Sequence, residues 1–140
     1  MTQLDLRGVC TLLQVFDMPR AVRFYCDVLG FEIANRSPTY AVERGVELFH
    51  WVLLGRDGVE LMLNTAYDAG QRPATPVAER TAAHDDTQLY FTCADVDAAY
   101  DHVRAHGVVC APPTTAPYGM RQLAFHDPDG FAITLQRAAE

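Results

Sequence analysis

The stretch VFDMPRAVRFYCDVLGF, residues 15–31, decides the fold, because a similar stretch returns later in the chain. The second copy is CADVDAAYDHVRAHGVV, residues 93–109. Each copy runs from an apolar strand into an Asp, then through an amphipathic helix to a Gly and a second apolar strand. An Asp before a helix and a Gly after it are typical helix boundaries. The repeat therefore predicts two units of the same design.

A second pair of segments extends the repeat toward the end of each half. RDGVELML, residues 56–63, matches PDGFAITL, residues 128–135. In both, an Asp-Gly turn leads into an apolar strand. Neither half is long enough to bury a good core alone, so two copies are expected to pack side by side and to line a concave surface. The predicted element order is βαβββ, twice.

Length and the repeat together predict the domain organisation. We expect a single domain over residues 1–140, with one βαβββ module at 8–65 and another at 87–137. The segment 66–86 contains Pro, Gly and several charges, which is typical of a linker. The expected strands are 8–16, 31–35, 47–54, 59–64, 88–93, 108–111, 121–126 and 131–136.

Composition excludes several classes of function. The net charge is −7, and the 11 Lys and Arg residues do not cluster, which disfavours nucleic acid as a partner. No apolar run approaches the roughly 18 residues of a membrane span, and no secretory signal is visible. The four cysteines show no CxxC spacing, so we expect reduced thiols in a cytoplasmic protein.

Two motifs carry a family resemblance. Phe24-Tyr25 followed by Leu29-Gly30-Phe31 forms an FYxxxLGF pattern, and PYGMRQLAFHDPDG occupies residues 117–130. Over roughly residues 9–136 the chain resembles the vicinal oxygen chelate superfamily, which holds glyoxalase I, extradiol dioxygenases, fosfomycin-resistance enzymes and bleomycin-resistance proteins. The resemblance implies an α+β fold in which two βαβββ modules form a cup-shaped mixed sheet.

The resemblance also implies where a divalent metal would bind. The ligand positions of the metal enzymes fall here on Cys10, Met62, Gln88 and Thr134. Only Cys10 and Gln88 could coordinate, and two ligands do not make a tight site. We therefore expect no metal and no other cofactor, as in the metal-free, bleomycin-resistance-like members.

Aromatic and polar residues form the remaining signal for a site. Strand alternation places Glu60 and Asn64 on the face of Met62, and Tyr90 on the face of Gln88. Trp51, the only Trp, and Tyr118 fall where bleomycin-resistance-like proteins carry aromatic residues that sandwich a flat ligand. Arg121 is near Tyr118 in the sequence. The predicted ligand-binding residues are Trp51, Glu60, Met62, Asn64, Gln88, Tyr90, Tyr118, Arg121 and Thr134.

The five histidines give a weaker signal for chemistry. His84, His102 and His106 are expected at the surface, in the linker and on the polar side of the second helix. His50, in a strand, and His126, before the Asp-Pro-Asp-Gly turn, are the two candidates for a general base. Whether either of them has a catalytic role stays open.

Two hypotheses on function follow. The first is a binder that sequesters an aromatic or amphipathic small molecule, for example an antibiotic. The alternative is a small-molecule lyase, isomerase or dioxygenase with a divergent metal site. Under both we expect a homodimer, because a C2 dimer is the commonest way to cover exposed strands. The cup is formed either within one chain or across the dimer.

Overall fold

Two four-stranded sheets with a shared core make up the computed structural model, which describes residues 3–139. A π-helical turn, Phe24–Val28, follows the first helix, and a 3-10 turn, His84–Asp86, follows the second. The elements in chain order are β1 (Leu12–Val15), α1 (Met18–Arg23), β2 (Glu32–Arg36), β3 (Ala41–Glu43), β4 (Val46–Leu48), β5 (Trp51–Arg56), β6 (Val59–Thr65), α2 (Ala78–Ala83), β7 (Gln88–Thr92), α3 (Val96–Ala105), β8 (Thr114–Thr115), β9 (Met120–His126) and β10 (Ala132–Ala138).

The two sheets have the same topology. The first sheet has the strand order β1-β6-β5-β2, and the second has the order β7-β10-β9-β8. In each, the first strand runs parallel to the last, and the other neighbours are antiparallel. A helix follows the first strand in both, so the order βαβββ occurs twice and the predicted fold class is confirmed. The β3–β4 hairpin is inserted between β2 and β5 and forms a separate two-stranded sheet.

Both principal helices begin as their sequences predict. Asp17 accepts a hydrogen bond from the amide of Arg20 at 3.2 Å, and Asp95 accepts one from the amide of Ala98 at 3.0 Å. Each carboxylate thereby satisfies one of the free amides in the first helical turn. Pro19 lies in the first turn of α1, where its missing N–H removes no hydrogen bond.

Alternate residues of the long strands build the core. Leu61 and Leu63 of β6 are buried, as are Ile133 and Leu135 of β10. Aromatic rings join the two halves: Phe31 lies 6.0 Å from Phe91 between ring centroids, and Phe24 lies 6.3 Å from Phe125. Because these contacts cross between the halves, the inner faces of the two sheets share one core.

A buried polar contact also connects the halves. The Tyr25 hydroxyl donates to Oδ2 of Asp127 at 2.6 Å, while Oδ1 accepts from the amides of Asp129 and Phe131 at 2.9 Å each. Burial raises the pKa of Asp127, although these hydrogen bonds oppose the shift. Burial, with the nearby Asp127 charge, also raises the pKa of Tyr25. The contact is thus fully hydrogen-bonded, as a buried polar group requires.

The strand predicted over residues 47–54 is wrong, because two strands with different partners occupy that region. β4 pairs with β3 in the hairpin, whereas β5 pairs with β2 and β6. Between them, the Ser37 hydroxyl accepts from the amides of His50 at 3.1 Å and Trp51 at 3.0 Å. The Ser37 hydroxyl accepts these hydrogen bonds in place of a backbone carbonyl of a neighbouring strand. It therefore separates the end of β4 from the start of β5.

Two further strand boundaries differ from the prediction. Residues 108–111 form no strand; the side chain of Val109 is 97% exposed, and the pairing strand is instead β8, within the proline-rich segment that follows. β1 begins at Leu12, four residues after the predicted start. The segment 66–86, predicted as a linker, contains a helix, α2.

None of the helices within residues 3–139 is long and apolar enough to cross a bilayer.

Candidate functional site

Each sheet has an inner face on the core and an outer face on the opposite side. Because Leu61 and Leu63 point into the core, Met62 between them points outward, and the cross-strand partners of Met62 share its side. We call these surfaces the first and second outer faces. The first comprises Leu12, Gln14, Trp51, Leu53, Glu60, Met62 and Asn64. The second comprises Gln88, Tyr90, Thr92, Gln122, Ala124, His126, Ala132, Thr134 and Gln136.

The first outer face is largely apolar at its centre. Leu12, Met62 and Leu53 are register partners on adjacent strands and form a continuous row across the sheet. Trp51 lies opposite Asn64 in the next row. Its neighbour Val52 is fully buried, so the indole lies outside the core shared with the helices. Leu12 remains 43% exposed, which leaves an apolar surface open to contact.

The second outer face is polar. Tyr90 and Thr134 are register partners at its centre. The Gln122 side-chain amide donates to the Tyr118 hydroxyl at 2.8 Å and to Oε1 of Gln136 at 3.0 Å. These bonds hold Tyr118, 70% exposed, at this face although it precedes β9 in a turn. The face therefore presents two phenols, two threonine hydroxyls and several amides.

The structure divides eight of the nine predicted ligand-binding residues into two groups on two sheets. Trp51, Glu60, Met62 and Asn64 share the first outer face. Gln88, Tyr90, Thr134 and Tyr118 lie at the second outer face. Each group is contiguous within its own sheet, so a ligand that contacts both groups must bridge two sheets.

Arg121 does not join either group. It has the same strand parity as Leu123 and Phe125, which are buried, and it therefore points to the helix side of the second sheet. There its guanidinium donates to Oδ1 of Asp97, on α3, at 2.7 Å. This hydrogen bond lowers the pKa of Asp97 and raises that of Arg121. Arg121 thus helps to hold α3 on the sheet, and it does not border the outer face.

The centres of the two outer faces do not fit a divalent metal ion. Met62 lies beside Leu12, and Thr134 lies beside Tyr90, so the central donors are a thioether, a hydroxyl and a phenol. Divalent ions prefer carboxylate, imidazole or thiolate ligands. Within residues 3–139 no group of three or more His, Cys, Asp or Glu side chains is placed to hold a metal ion.

The histidines are engaged in local contacts. Nδ1 of His50 lies 2.7 Å from the Thr65 hydroxyl, and Nε2 of His126 lies 2.6 Å from Oδ1 of Asp85. His84, expected at the surface, is half-buried, with its ring stacked 4.0 Å from that of Phe131. His126 is the only one of these three on an outer face, at its edge.

None of the predicted ligand-binding residues lines either of two larger cavities, although Thr92 of the second outer face lines one of them. One, of about 700 Å³, lies between the β3–β4 hairpin, the start of α1 and the loop after β6. The other, of about 400 Å³, lies between α3 and the β5–β6 turn. The sequence interpretation missed the first because it did not predict the hairpin. It also missed Gln136, which alternation from the buried Leu135 would have found.

Comparisons with known proteins agree with this geometry. Residues 9–135 match the model of the Glyoxalase/Bleomycin resistance protein/Dioxygenase superfamily. The chain is 32% identical over 113 residues to the uncharacterized protein YaeR of Escherichia coli K12, covering 80% of this chain and 81% of that protein. The family predicted from the sequence is confirmed.

Solved structures support the same fold. TnmS3, an antibiotic binding protein from Streptomyces sp. CB03234, is 23% identical with a TM-score of 0.70, covering 98% of this chain and 100% of that chain. TioX from Micromonospora sp. ML1 is 20% identical with a TM-score of 0.71, covering 94% and 98%. At these identities the likeness establishes the fold.

Proposed function

Because this chain belongs to the glyoxalase/bleomycin resistance protein/dioxygenase superfamily, we propose that it binds an aromatic or amphipathic small molecule on its outer faces, without a metal ion. The observation that carries the proposal is the composition of the first outer face. There an apolar row, Leu12, Met62 and Leu53, crosses the centre of the sheet beside the single Trp51. An apolar sheet centre favours a ring over an ion.

The two outer faces offer complementary contacts to one guest. The indole of Trp51 and the apolar row supply stacking and apolar area. Tyr118, Gln122 and Gln136 supply donors and acceptors that are already ordered by hydrogen bonds to one another. A guest held between them would have an aromatic body and a polar rim, and the chain's net charge of −7 favours a cationic group on it.

We further propose that a homodimer brings the two faces together. β1 and β7 are edge strands, and within residues 3–139 no strand of one sheet pairs with a strand of the other. An unpaired edge favours association with another strand, and a second copy offers two such edges. In this arrangement the first outer face of one chain meets the second outer face of its partner. Light scattering at micromolar concentration should give the dimer mass, and a monomer mass would contradict the arrangement.

The ligand class can be tested by a thermal-shift screen of antibiotics with fused aromatic rings, with and without cationic substituents. The likeness to an antibiotic binding protein makes these the first compounds to try. A ligand that binds only the folded chain should stabilise it by about 2.7 kcal/mol at a hundredfold excess over Kd. Saturable stabilisation with quenching of Trp51 fluorescence would support the proposal. A melting temperature that no compound changes would contradict it.

Metal analysis separates this proposal from an enzyme with a divergent metal site. Protein purified without chelators should carry substoichiometric metal after dialysis, because the central side chains are poor ligands. Stoichiometric Ni, Zn, Fe or Mn that resists dialysis would instead favour a lyase, isomerase or dioxygenase.

We also propose a cytoplasmic location, which the four free cysteines support, since thiols stay reduced there.

A further inference from the structure

The inserted hairpin forms one wall of a cavity on the first half of the molecule. The cavity has a volume of about 700 Å³ and lies between β3–β4, the start of α1, and the end of β6 with the loop that follows it, residues 65–72. This volume is within the range of sites for small organic molecules. None of its lining residues belongs to either outer face. It is therefore a separate candidate site.

Strand alternation determines which hairpin side chains face the cavity. Glu43, Val46 and Leu48 share one side of the hairpin and line the cavity. Glu47 lies on the other side, where its carboxylate pairs with the guanidinium of Arg36 at 3.2 Å. The hairpin thus presents one carboxylate, that of Glu43, to the cavity and uses the other to attach itself to β2.

Tyr40 provides an ordered aromatic surface at the cavity wall. Its ring is stacked on His50, with the centroids 4.0 Å apart and the planes at 4°. His50 is in turn fixed by the hydrogen bond between its Nδ1 and the Thr65 hydroxyl, at 2.7 Å. Tyr40 lines the cavity and is 43% exposed. With one face covered by His50, the other is available for a second ring to stack on.

Charges of both signs line the cavity. The Arg72 guanidinium lies 4.8 Å above the Phe16 ring and 3.8 Å from the Asp17 carboxylate, which is a loose ion pair. Four other charged side chains there form none of the ion pairs found within residues 3–139: Arg23, Glu43, Arg44 and Asp68. Two positive and two negative groups are therefore free to meet a guest.

We propose that this cavity binds a small aromatic zwitterion, about the size of a dipeptide with free amino and carboxyl termini. The ring would stack on Tyr40, the carboxylate would meet both Arg44 and Arg72, and the ammonium group would meet Glu43. Guanidinium groups match carboxylates in shape and charge. A purely anionic or purely cationic guest would satisfy one set of charges and be repelled by the other. This mixture of charges selects a zwitterion.

The test uses three probes of the same skeleton. Phenylalanylglycine carries both charges, its N-acetyl derivative lacks the ammonium group, and its C-terminal amide lacks the carboxylate. Titration of the isotope-labelled full-length protein, followed by amide chemical shifts, should show saturable binding of the zwitterion. The shifted amides should include Gly45 and Gly70, which flank the cavity. Each blocked probe should bind at least about fivefold more weakly.

Variants locate the site and supply matched controls. Tyr40→Ala, Glu43→Gln and Arg72→Gln should each weaken binding of the zwitterion by about five- to tenfold. Glu47→Gln, on the opposite side of the same hairpin, should leave binding unchanged. Arg104→Gln is the control for Arg72, because Arg104 also lies over a ring, that of Tyr100, on α3. Melting temperatures identify any variant that has lost the fold.

Three results would overturn the proposal: no saturable shift at millimolar probe, equal binding of all three probes, or equal effects of Arg72→Gln and Arg104→Gln. Because the cavity shares no residue with the outer faces, Trp51→Ala should not alter binding of phenylalanylglycine. Failure here is therefore distinguishable from failure of the proposed outer-face ligand site.

Discussion

The two halves of the molecule share their topology and their core but differ in their outer faces and in their inserted segments. Both contribute alternate apolar residues to one core, and both place an Asp at the start of the helix. The first half has an apolar outer face and an inserted hairpin, whereas the second has a polar outer face and a proline-rich segment. Packing restrains the shared part, so the unshared part is where the two halves can have separate roles.

The Asp-Gly turns show the difference at one position. Asp57 and Gly58 form an exposed hairpin turn, while Asp129 and Gly130 lie against α2. The residue two positions before the Asp of the turn also differs. It is Gly55 in the first half and the buried Asp127 in the second. The second turn thus contributes to the connection between the halves, whereas the first is a simple exposed turn.

The largest expected effect tests this comparison directly. Gly130 has a φ of +89°, and a Cβ there would lie 2.4 Å from the carbonyl oxygen of Thr81. Gly130→Ala combines a disfavoured backbone conformation with a backbone clash, so we expect it to lower the free energy of unfolding by roughly 3–4 kcal/mol. Gly58→Ala, at φ +84° with no atom within 4 Å, should lower it by only about 1–2 kcal/mol. Urea denaturation of both variants measures the difference, and equal losses would contradict it.

The next effect concerns the buried contact between the halves. Tyr25→Phe removes the hydroxyl that donates to Asp127 at 2.6 Å and leaves a buried carboxylate oxygen without that donor. We expect a loss of about 2 kcal/mol in the free energy of unfolding. Tyr118→Phe is the control, because its hydroxyl is at an exposed surface. If Tyr25→Phe were as stable as Tyr118→Phe, the contact would not stabilise the pairing of the halves.

The sequence predicted the fold because its signals are local and occur twice. Asp17 and Asp95 mark helix starts by the hydrogen bonds they make, and the alternation around Leu61 and Ile133 marks strands with one buried face. The same alternation correctly grouped Glu60 with Met62. These features depend on neighbouring residues, so they can be recognised without knowing the tertiary structure.

The sequence could not predict the features that depend on distant contacts. The segment over residues 47–54 contains no Gly or Pro to end a strand, and it is divided by the hydroxyl of Ser37, which lies in another part of the chain. Arg121 was placed by its proximity to Tyr118, although its parity with Leu123 puts it on the helix side. Strand alternation counted from the buried Leu123 would have placed the Arg121 side chain on the helix side of the sheet. No local feature of the sequence indicated the cavity beside the hairpin.

A smaller effect would sharpen the comparison of the outer faces. Once a ligand is found, Trp51→Ala should weaken it by about tenfold, or roughly 1.4 kcal/mol, because a buried stacking ring is lost. Tyr118→Ala should also weaken it if the two faces meet in a dimer, by less, because Tyr118 is more exposed. Calorimetry on both variants, with melting temperatures to check the fold, measures this. Unchanged affinity and unquenched Trp51 fluorescence at saturation would contradict the outer-face site.

The smallest expected effect is a pH dependence that comes from Asp129, in the turn of the second half. Burial raises the pKa of Asp129, even though the amide of Phe16 donates to it at 2.7 Å, and its Oδ2 has no hydrogen-bond partner within residues 3–139. The folded chain therefore holds this proton more tightly than the unfolded chain. The resulting stabilisation is complete below the unfolded Asp pKa, about 3.9, and is lost as the pH rises through the raised folded value.

We therefore expect the free energy of unfolding of the native chain to fall, relative to Asp129→Asn, as the pH rises from about 4 into the weakly acidic range. Asn keeps an oxygen that can accept from the Phe16 amide but carries no proton to lose. Asp57→Asn is the control from the equivalent turn of the first half, where the carboxylate is 91% exposed. Urea denaturation over a pH series gives the three curves. A constant difference between the native chain and Asp129→Asn, or an equal slope with Asp57→Asn, would show that the two turns respond alike to pH.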